Sequence, residues 1–331
     1  MPEALREHAS VAIRSIDEYL GPSSQRFFGS GYKRSTYHIQ PHMNDDKLSA
    51  SVDVSYPTDW SLKGKESDLR PHLSTVDVMI LGVRSTETLL RNVLGLTPNQ
   101  LELATIQKLV IRAGTRPEES LEGLQLSAEI KKTDTTTNSD GQTTDSTVVV
   151  QVGVMRATVT VRHEAPRAKR LDPPDYSYLI EDSDRYWGAG YRHRDQLIEN
   201  VVADTETLSA EAEVKVVSKL GDLSKTKGSH SQQFVTFIDV FVSLLQLGQV
   251  LMYELDGISR DKSETLWMQR LVLRPSSDHE GCTSVVDRAM ATLRITDHQL
   301  LTLPNGKWRN VDFAGDSGGI DLSATFAHRV A

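Results

Sequence analysis

The chain has 331 residues, 45 of them acidic and 37 basic, for a formal charge of −8. At about 150 residues per domain, this length suggests about two domains or one large one. With 38% apolar and 25% charged residues, the composition is that of a folded protein with sizeable cores, and the acidic balance argues against a nucleic-acid binder, which needs a basic face.

The N-terminus, MPEALREHAS, carries acidic residues and no apolar run, so no secretory signal is read there. Val11, Ile13, Ile16 and Leu20 suit a partly buried amphipathic helix. RFFGSGY at Arg26–Tyr32 reads as a turn, and Leu48–Val54 alternates like a strand. Leu73–Leu94 is too long for one strand, lacks proline and predicts a helix. Strand-like runs follow at Thr105–Arg112, Leu124–Lys132 and Thr147–Arg162. The polar stretch Thr133–Thr147 predicts an exposed hairpin tip, with Asp140-Gly141 as its turn pair. Glu164–Asp184, with Pro166, Pro173 and Pro174, reads as a linker. Leu208–Val217 is again strand-like. Phe234–Leu255 predicts a second helix, apolar almost all round and therefore enclosed. Thr236, Asp239, Ser243, Gln246 and Gln249 interrupt its apolar run, which falls short of the ~20 residues of a membrane span. The single cysteine, Cys282, excludes an intrachain disulfide framework and a multi-thiolate zinc site, and fits a reducing cytoplasm, the expected location.

The most informative feature is a repeat. RFFGSGY recurs as RYWGAGY at Arg185–Tyr191, an offset of 159. LSASVDV from Leu48 matches LSAEAEV from Leu208, an offset of 160. STVDV from Ser74 matches TFIDV from Thr236, and QKLVIR from Gln107 matches QRLVLR from Gln269, both at 162. TVRH closing at His163 resembles FAH closing at His328, at 165. The order is kept and the offset drifts slowly. Two related domains, 1–165 and 166–331, are expected. A long buried helix followed by antiparallel strands, twice, predicts the α+β double hotdog: two sheets, each wrapped around a central helix.

GDSGG at Gly315–Gly319 has the form of a serine-protease nucleophile loop. A hydrolase elbow needs a helix after the serine, but IDLSATFA reads as strand, so a tight turn like that near Gly153 is expected. GSGYKR and GAGYRHR lack the Walker pattern and a third glycine. Their glycines are expected to supply positive φ beside aromatic packing. Lys33, Arg34, Arg192 and Arg194 remain candidate anion contacts for a phosphopantetheine arm or sugar phosphate. Asp77 and Asp239 start the two long helices. Ser74-x-x-Asp77 and Thr236-x-x-Asp239 fit capping boxes, while apolar surroundings would raise either carboxyl toward general-base use. His72 precedes the first helix; its counterpart is Phe234. His38 and His42 have i,i+4 spacing, but Pro41 argues against a helix, so no metal is expected. Trp60, Trp187, Trp267 and Trp308 read as core or pocket wall.

IDEYLG, RFFGSGYK, VSYPTDW, PHLSTVD and TLWMQR together resemble the avirulence protein D (AvrD) family, through most of the chain. That family is associated with syringolide-type elicitors. The resemblance implies chemistry that joins a β-ketoacyl thioester to a pentulose such as xylulose. It also suggests kinship with the butyrolactone-forming AfsA-type proteins, which condense a β-ketoacyl thioester with a keto-alcohol. Hotdog dehydratases place a histidine about fourteen residues before a helical acid. From His72 that register gives Thr86, with Glu87 one further, so the dehydratase pattern is not matched.

The expected function is therefore a condensing, acyltransferase-type enzyme. A hotdog thioesterase or hydratase and a non-catalytic acyl-binding receptor are the alternatives. The candidate catalytic residues are His72, Asp77 and Asp239, and the candidate substrate contacts are Tyr32, Lys33, Arg84, Tyr191, Arg192 and Trp267. No cofactor is expected beyond coenzyme A or the phosphopantetheine of an acyl carrier protein as substrate carrier. A pseudo-dimeric monomer or a homodimer is expected, with no nucleic-acid or membrane partner.

Overall fold

A computed structural model describes residues 10–61, 70–138, 141–166, 170–219, 235–263, 266–276, 288–304 and 306–330. Phe234 and Cys282, singled out above, lie outside these, as does Asp140 of the expected turn pair. The chain opens with β1 (Ser10–Ser15) and the short α1 (Ile16–Leu20). Next come β2 (Thr36–Asn44), β3 (Lys47–Ser55), α2 (Thr75–Val93) and α3 (Pro98–Leu103). Four strands follow: β4 (Thr105–Arg112), β5 (Leu124–Asn138), β6 (Gly141–Val152) and β7 (Met155–Glu164). Beyond residue 190 lie β8 (Arg194–Asp204), β9 (Ser209–Ser218) and α4 (Phe237–Asp256). The chain ends with β10 (Trp267–Pro275), β11 (Ala289–Leu303), β12 (Gly306–Ser317) and β13 (Ile320–Arg329).

Among the described residues the strands form one large antiparallel sheet, in the order β1-β8-β9-β11-β12-β13-β10-β4-β7-β6-β5-β3-β2. At its centre β10 and β4 pair edge to edge, Leu271 opposite Ile111 and Leu273 opposite Leu109. Read outward from this seam, β4-β7-β6-β5-β3-β2 and β10-β13-β12-β11-β9-β8 follow the same chain order.

Each long helix packs on five adjacent strands: α2 on β3 to β7, and α4 on β8, β9, β11, β12 and β13. Five strands at ~4.8 Å spacing are about 19 Å wide, against about 10 Å for a helix. The sheet must bend round each helix for all five strands to touch it. The burial follows from this wrapping: Val76 to Leu81 and Phe237 to Val242 are all buried, whichever face of the helix they occupy. By length and composition α4 could cross a membrane, but it lies almost wholly inside the protein.

Two expectations fail for local reasons. Val11 and Ile13 belong to β1, not to a helix; they pair with Ala203 and Val201 of β8. The β-branched side chains recur with a period of two, which suits an edge strand, and the helix starts only at Ile16, capped by Ser15. The run Thr147–Arg162 is a hairpin of β6 and β7 with its turn at Gly153, where φ is +51°. GDSGG forms the matching turn between β12 and β13, with Gly318 at φ +56° and Gly319 at +79°. Two consecutive positive-φ residues suit a tight hairpin turn, and no helix follows Ser317.

Candidate active site

The site is built around the start of α2. Ser74 caps the helix: its Oγ accepts from the Asp77 N–H (3.1 Å), and Asp77 Oδ2 accepts from the Ser74 N–H (2.9 Å) and Oγ (2.6 Å). The carboxylate is fully buried. Tyr37 on β2 donates to its Oδ1 at 2.8 Å, and the Tyr56 hydroxyl, just after β3, donates to Oδ2. Tyr37 and Tyr56 are themselves only half-buried.

At the start of α4 the same box is present, with Thr236 and Asp239. Gln196 on β8 donates to Asp239 Oδ1 at 2.7 Å, in the register position Tyr37 holds on β2. The remaining partner differs. Arg194 donates to Asp239 Oδ2 from Nε (3.0 Å) and Nη2 (2.6 Å), and both side chains are buried.

The two carboxyls are therefore pushed in opposite directions. Burial raises Asp77, and the hydrogen bonds from Ser74, Tyr56 and Tyr37 offset only part of that, so it stays above the ordinary carboxylate range. Burial also pushes Asp239 up, but the Arg194 guanidinium and the bonds from Gln196 and Thr236 outweigh it and hold it below that range. Asp77 is therefore the more readily protonated of the two. Asp239 is locked as the anion of an ion pair and does not suit the general-base role read for it in the sequence.

The aromatic-glycine loops meet across the molecule. Tyr32 and Tyr191 stack with ring centroids 6.4 Å apart. The loops share one hydrogen-bond pattern. The Arg26 carbonyl accepts from the N–H groups of Gly29, Ser30 and Gly31, and that of Arg185 from Gly188, Ala189 and Gly190. These donors are occupied, so the loops offer no phosphate cradle. The glycines do not have positive φ as expected. They are needed for close approach instead: a Cβ at Gly29 would overlap the Ser23 carbonyl, and one at Gly188 the Asp182 carbonyl. The four candidate anion contacts are also taken. Lys33 pairs with Asp195 (2.8 Å), Arg34 with Asp59 (2.8 Å), Arg192 with Glu181 (2.5 Å) and Arg194 with Asp239.

Arg84, two turns along α2 from Asp77, crosses to the other loop. Its Nε donates to the Trp187 carbonyl at 2.7 Å and its Nη2 to that of Gly188. Its guanidinium lies 5.3 Å from the centre of the Tyr37 ring. Tyr191 is held above the ordinary tyrosine range, chiefly by burial; the Arg84 and Arg192 charges oppose the rise and Asp77 adds to it. Asp77, Tyr37, Arg84 and Tyr191 thus form one cluster.

Of the other sequence candidates, Tyr32 stacks on Tyr191 and Arg192 donates to its hydroxyl at 3.3 Å, whereas the His72 ring and Trp267 lie outside the cluster. The His72 ring faces Trp60 edge-on at 6.3 Å and its Nδ1 lies 3.3 Å from the Arg70 carbonyl. Only the His72 backbone reaches the cluster, its carbonyl accepting from Tyr56 at 3.1 Å. Trp267 opens β10 opposite Ala327 on β13, beside His328, which contacts Tyr253 near the far end of α4. A groove of about 960 Å³ lies elsewhere, bordered by Lys108, Arg270, Arg294 and Asp316, and includes none of the candidate residues. Tyr37 and Tyr56 were missed in the sequence. Tyr37 stands five residues past Tyr32, as Gln196 stands past Tyr191, so the repeat register could have flagged Tyr37.

Several solved structures are similar in outline. A hot dog fold protein of unknown function from Alicyclobacillus acidocaldarius matches with TM-score 0.38 and 11% identity, over 92% of this chain and 97% of that one. A putative oleoyl thioesterase from Lactobacillus plantarum matches with TM-score 0.41 and 8% identity, over 91% and 98%. A putative MaoC domain protein dehydratase from Chloroflexus aurantiacus matches with TM-score 0.38 and 9% identity, over 98% and 96%. No curated protein matches the chain. The model of the family described as Pseudomonas avirulence D protein (AvrD) matches residues 11–331. The chain, matched over nearly its whole length, belongs to the AvrD family.

Proposed function

We propose that this protein is a fused pair of hotdog domains, 1–165 and 166–331, that condenses a β-ketoacyl thioester with a sugar or keto-alcohol, and that the chemistry sits at Asp77. The observation that carries this is the contrast between two equivalent carboxylates. Asp239 is neutralised by a buried arginine, while Asp77 is equally buried and, among the described residues, held by hydroxyl and amide donors alone. A structural capping residue has no need of that difference; a general base does.

In this reading the Asp77 carboxylate accepts the proton of an acceptor hydroxyl, relayed through Tyr37 or Tyr56. The alkoxide attacks the thioester carbonyl, the C–S bond breaks, and the leaving thiolate takes a proton. The resulting β-keto ester then closes by carbon–carbon bond formation between its α-carbon and the acceptor's carbonyl. The acyl group arrives on coenzyme A or an acyl carrier protein.

The test is direct. The purified protein is mixed with a β-ketoacyl thioester and xylulose, and free thiol and lactone are measured. Thiol release that depends on the sugar, lost in Asp77→Asn, supports the reading. Thiol release without sugar makes the protein a thioesterase; no release and no lactone removes the enzyme reading.

A further inference from the structure

Arg84 and Gln246 hold the same place in α2 and α4, seven residues after Asp77 and Asp239. Both tie their helix to the opposite aromatic-glycine loop. Arg84 donates to the Trp187 and Gly188 carbonyls, and Gln246 Nε2 to the Phe28 carbonyl at 3.2 Å. Phe28 and Trp187 are equivalent positions in the repeat. The molecule therefore does the same tying job once with a neutral amide and once with a cation. The tie does not require the charge.

That charge is expensive where it sits. Arg84 is fully buried, and burial presses its guanidinium below its usual range. Among the described residues no carboxylate lies within ion-pair distance of it, unlike Lys33, Arg34, Arg192 and Arg194. Its Nη1 is buried with no hydrogen-bond partner among the described residues. A buried donor on a cation, left open on a guanidinium that lies against the Tyr37 ring, whose hydroxyl holds Asp77, suits a substrate oxygen.

We propose that Arg84 Nη1 binds the keto oxygen of a β-ketoacyl substrate and stabilises its enolate. The inference rests on the reading of Asp77 as the base. Arg84 and Asp77 meet on one side chain: the guanidinium lies 5.3 Å from the centre of the Tyr37 ring, and the Tyr37 hydroxyl donates to Asp77. Asp77 removes a proton from the carbon between the two carbonyls. That C–H bond breaks, the proton ends on the carboxylate, and the electron pair forms the enolate C=C with its charge on the keto oxygen at Arg84. The nucleophilic carbon then attacks the acceptor's carbonyl; its C=O π bond opens, the keto C=O re-forms, and the new alkoxide takes the proton back from Asp77. A saturated acyl chain has no oxygen to place there. Arg84 thus makes the site specific for 3-oxoacyl groups.

The test compares two non-hydrolysable analogues of acyl-pantetheine in which a methylene replaces the thioester sulfur, one 3-oxo and therefore still a 1,3-dicarbonyl and one saturated, by calorimetry on the full chain. The wild-type protein should prefer the 3-oxo analogue about 10- to 100-fold, the worth of one hydrogen bond to a charged group. Arg84→Gln, which copies Gln246, should keep the fold and lose the preference; Arg84→Lys should keep part of it. The bound 3-oxo analogue should also show enolate absorbance at a lower pH than free in solution, and Arg84→Gln should abolish that shift. If wild type binds both analogues equally with no enolate shift, the Arg84 assignment is overturned while Asp77 stands. If Asp77→Asn leaves sugar-dependent thiol release intact, the base reading fails instead. Should Arg84→Gln not fold, the enolate shift in Arg84→Lys decides: a shift equal to wild type overturns the role of the guanidinium.

Discussion

The Tyr37 hydroxyl donates to Asp77 Oδ1 over 2.8 Å, in the position from which the Gln196 amide donates to Asp239 over 2.7 Å. Two capping boxes of the same design are completed by an ionisable phenol on one side and an amide on the other. Arg194 then neutralises the second box, and among the described residues no cation pairs with the first.

Asp77→Asn is expected to lower the rate of thiol release by about 10²- to 10⁴-fold, the usual contribution of a positioned base. His72→Ala should leave the rate within a few-fold of wild type, because its ring faces Trp60 and not the acid. Parallel kinetics on both variants check this. A His72→Ala loss as large as that of Asp77→Asn would return His72 to the site.

Asp239→Asn is expected to act on stability. It leaves Arg194 buried without its anion, at a cost of about 3–5 kcal/mol. Replacing the pair together, as Asp239→Asn with Arg194→Met, should recover part of that. Chemical denaturation of the single and double variants gives the coupling directly.

The same two acids predict opposite pH trends. Asp77 is raised in the folded state, so its contribution to stability is full below about pH 3.9, the unfolded value, and is lost as pH rises through its folded value. Asp239 is lowered, so its contribution is full above about pH 3.9 and is lost as pH falls through its folded value. Relative to wild type, Asp77→Asn should gain stability as pH rises, and Asp239→Asn should lose it. Unfolding curves across the acid range measure both slopes, and equal slopes would contradict the assignment.

Gly31→Ala should disturb the wall of the candidate site without touching its acid. A Cβ at Gly31 would overlap the backbone carbonyl of Trp60, whose ring packs on Phe27 and Tyr56. Overpacking of this kind costs about 1–3 kcal/mol. The melting temperature should fall and thiol release should drop with it. Gly123→Ala, at φ +64° with open space around it, should lower stability by backbone strain alone and leave the rate unchanged.

The amino-acid sequence by itself carried the placement of the two long helices, their capping boxes, the hairpin at GDSGG and the correspondence of positions between the halves. These are local or periodic properties: an apolar run of helical length, a Ser/Thr three residues before an acid, and paired glycines forming a turn. The state of each acid was not legible, because it depends on partners far away in the chain. Arg194 reaches Asp239 from 45 residues upstream, and Tyr37 reaches Asp77 from 40. Burial and these long-range partners decide whether a carboxyl is a base or half of an ion pair. The four cations read as anion contacts looked free for the same reason, since Asp59, Asp195, Glu181 and Asp239 meet them only once the sheet has closed round its helices. Arg84 is read from the sequence as a candidate substrate contact, with no partner and no burial attached to it. Its equivalence to the neutral Gln246 follows from the repeat register; only the tertiary structure shows that both tie their helix to the opposite loop, and that the Arg84 charge is buried with a donor left open.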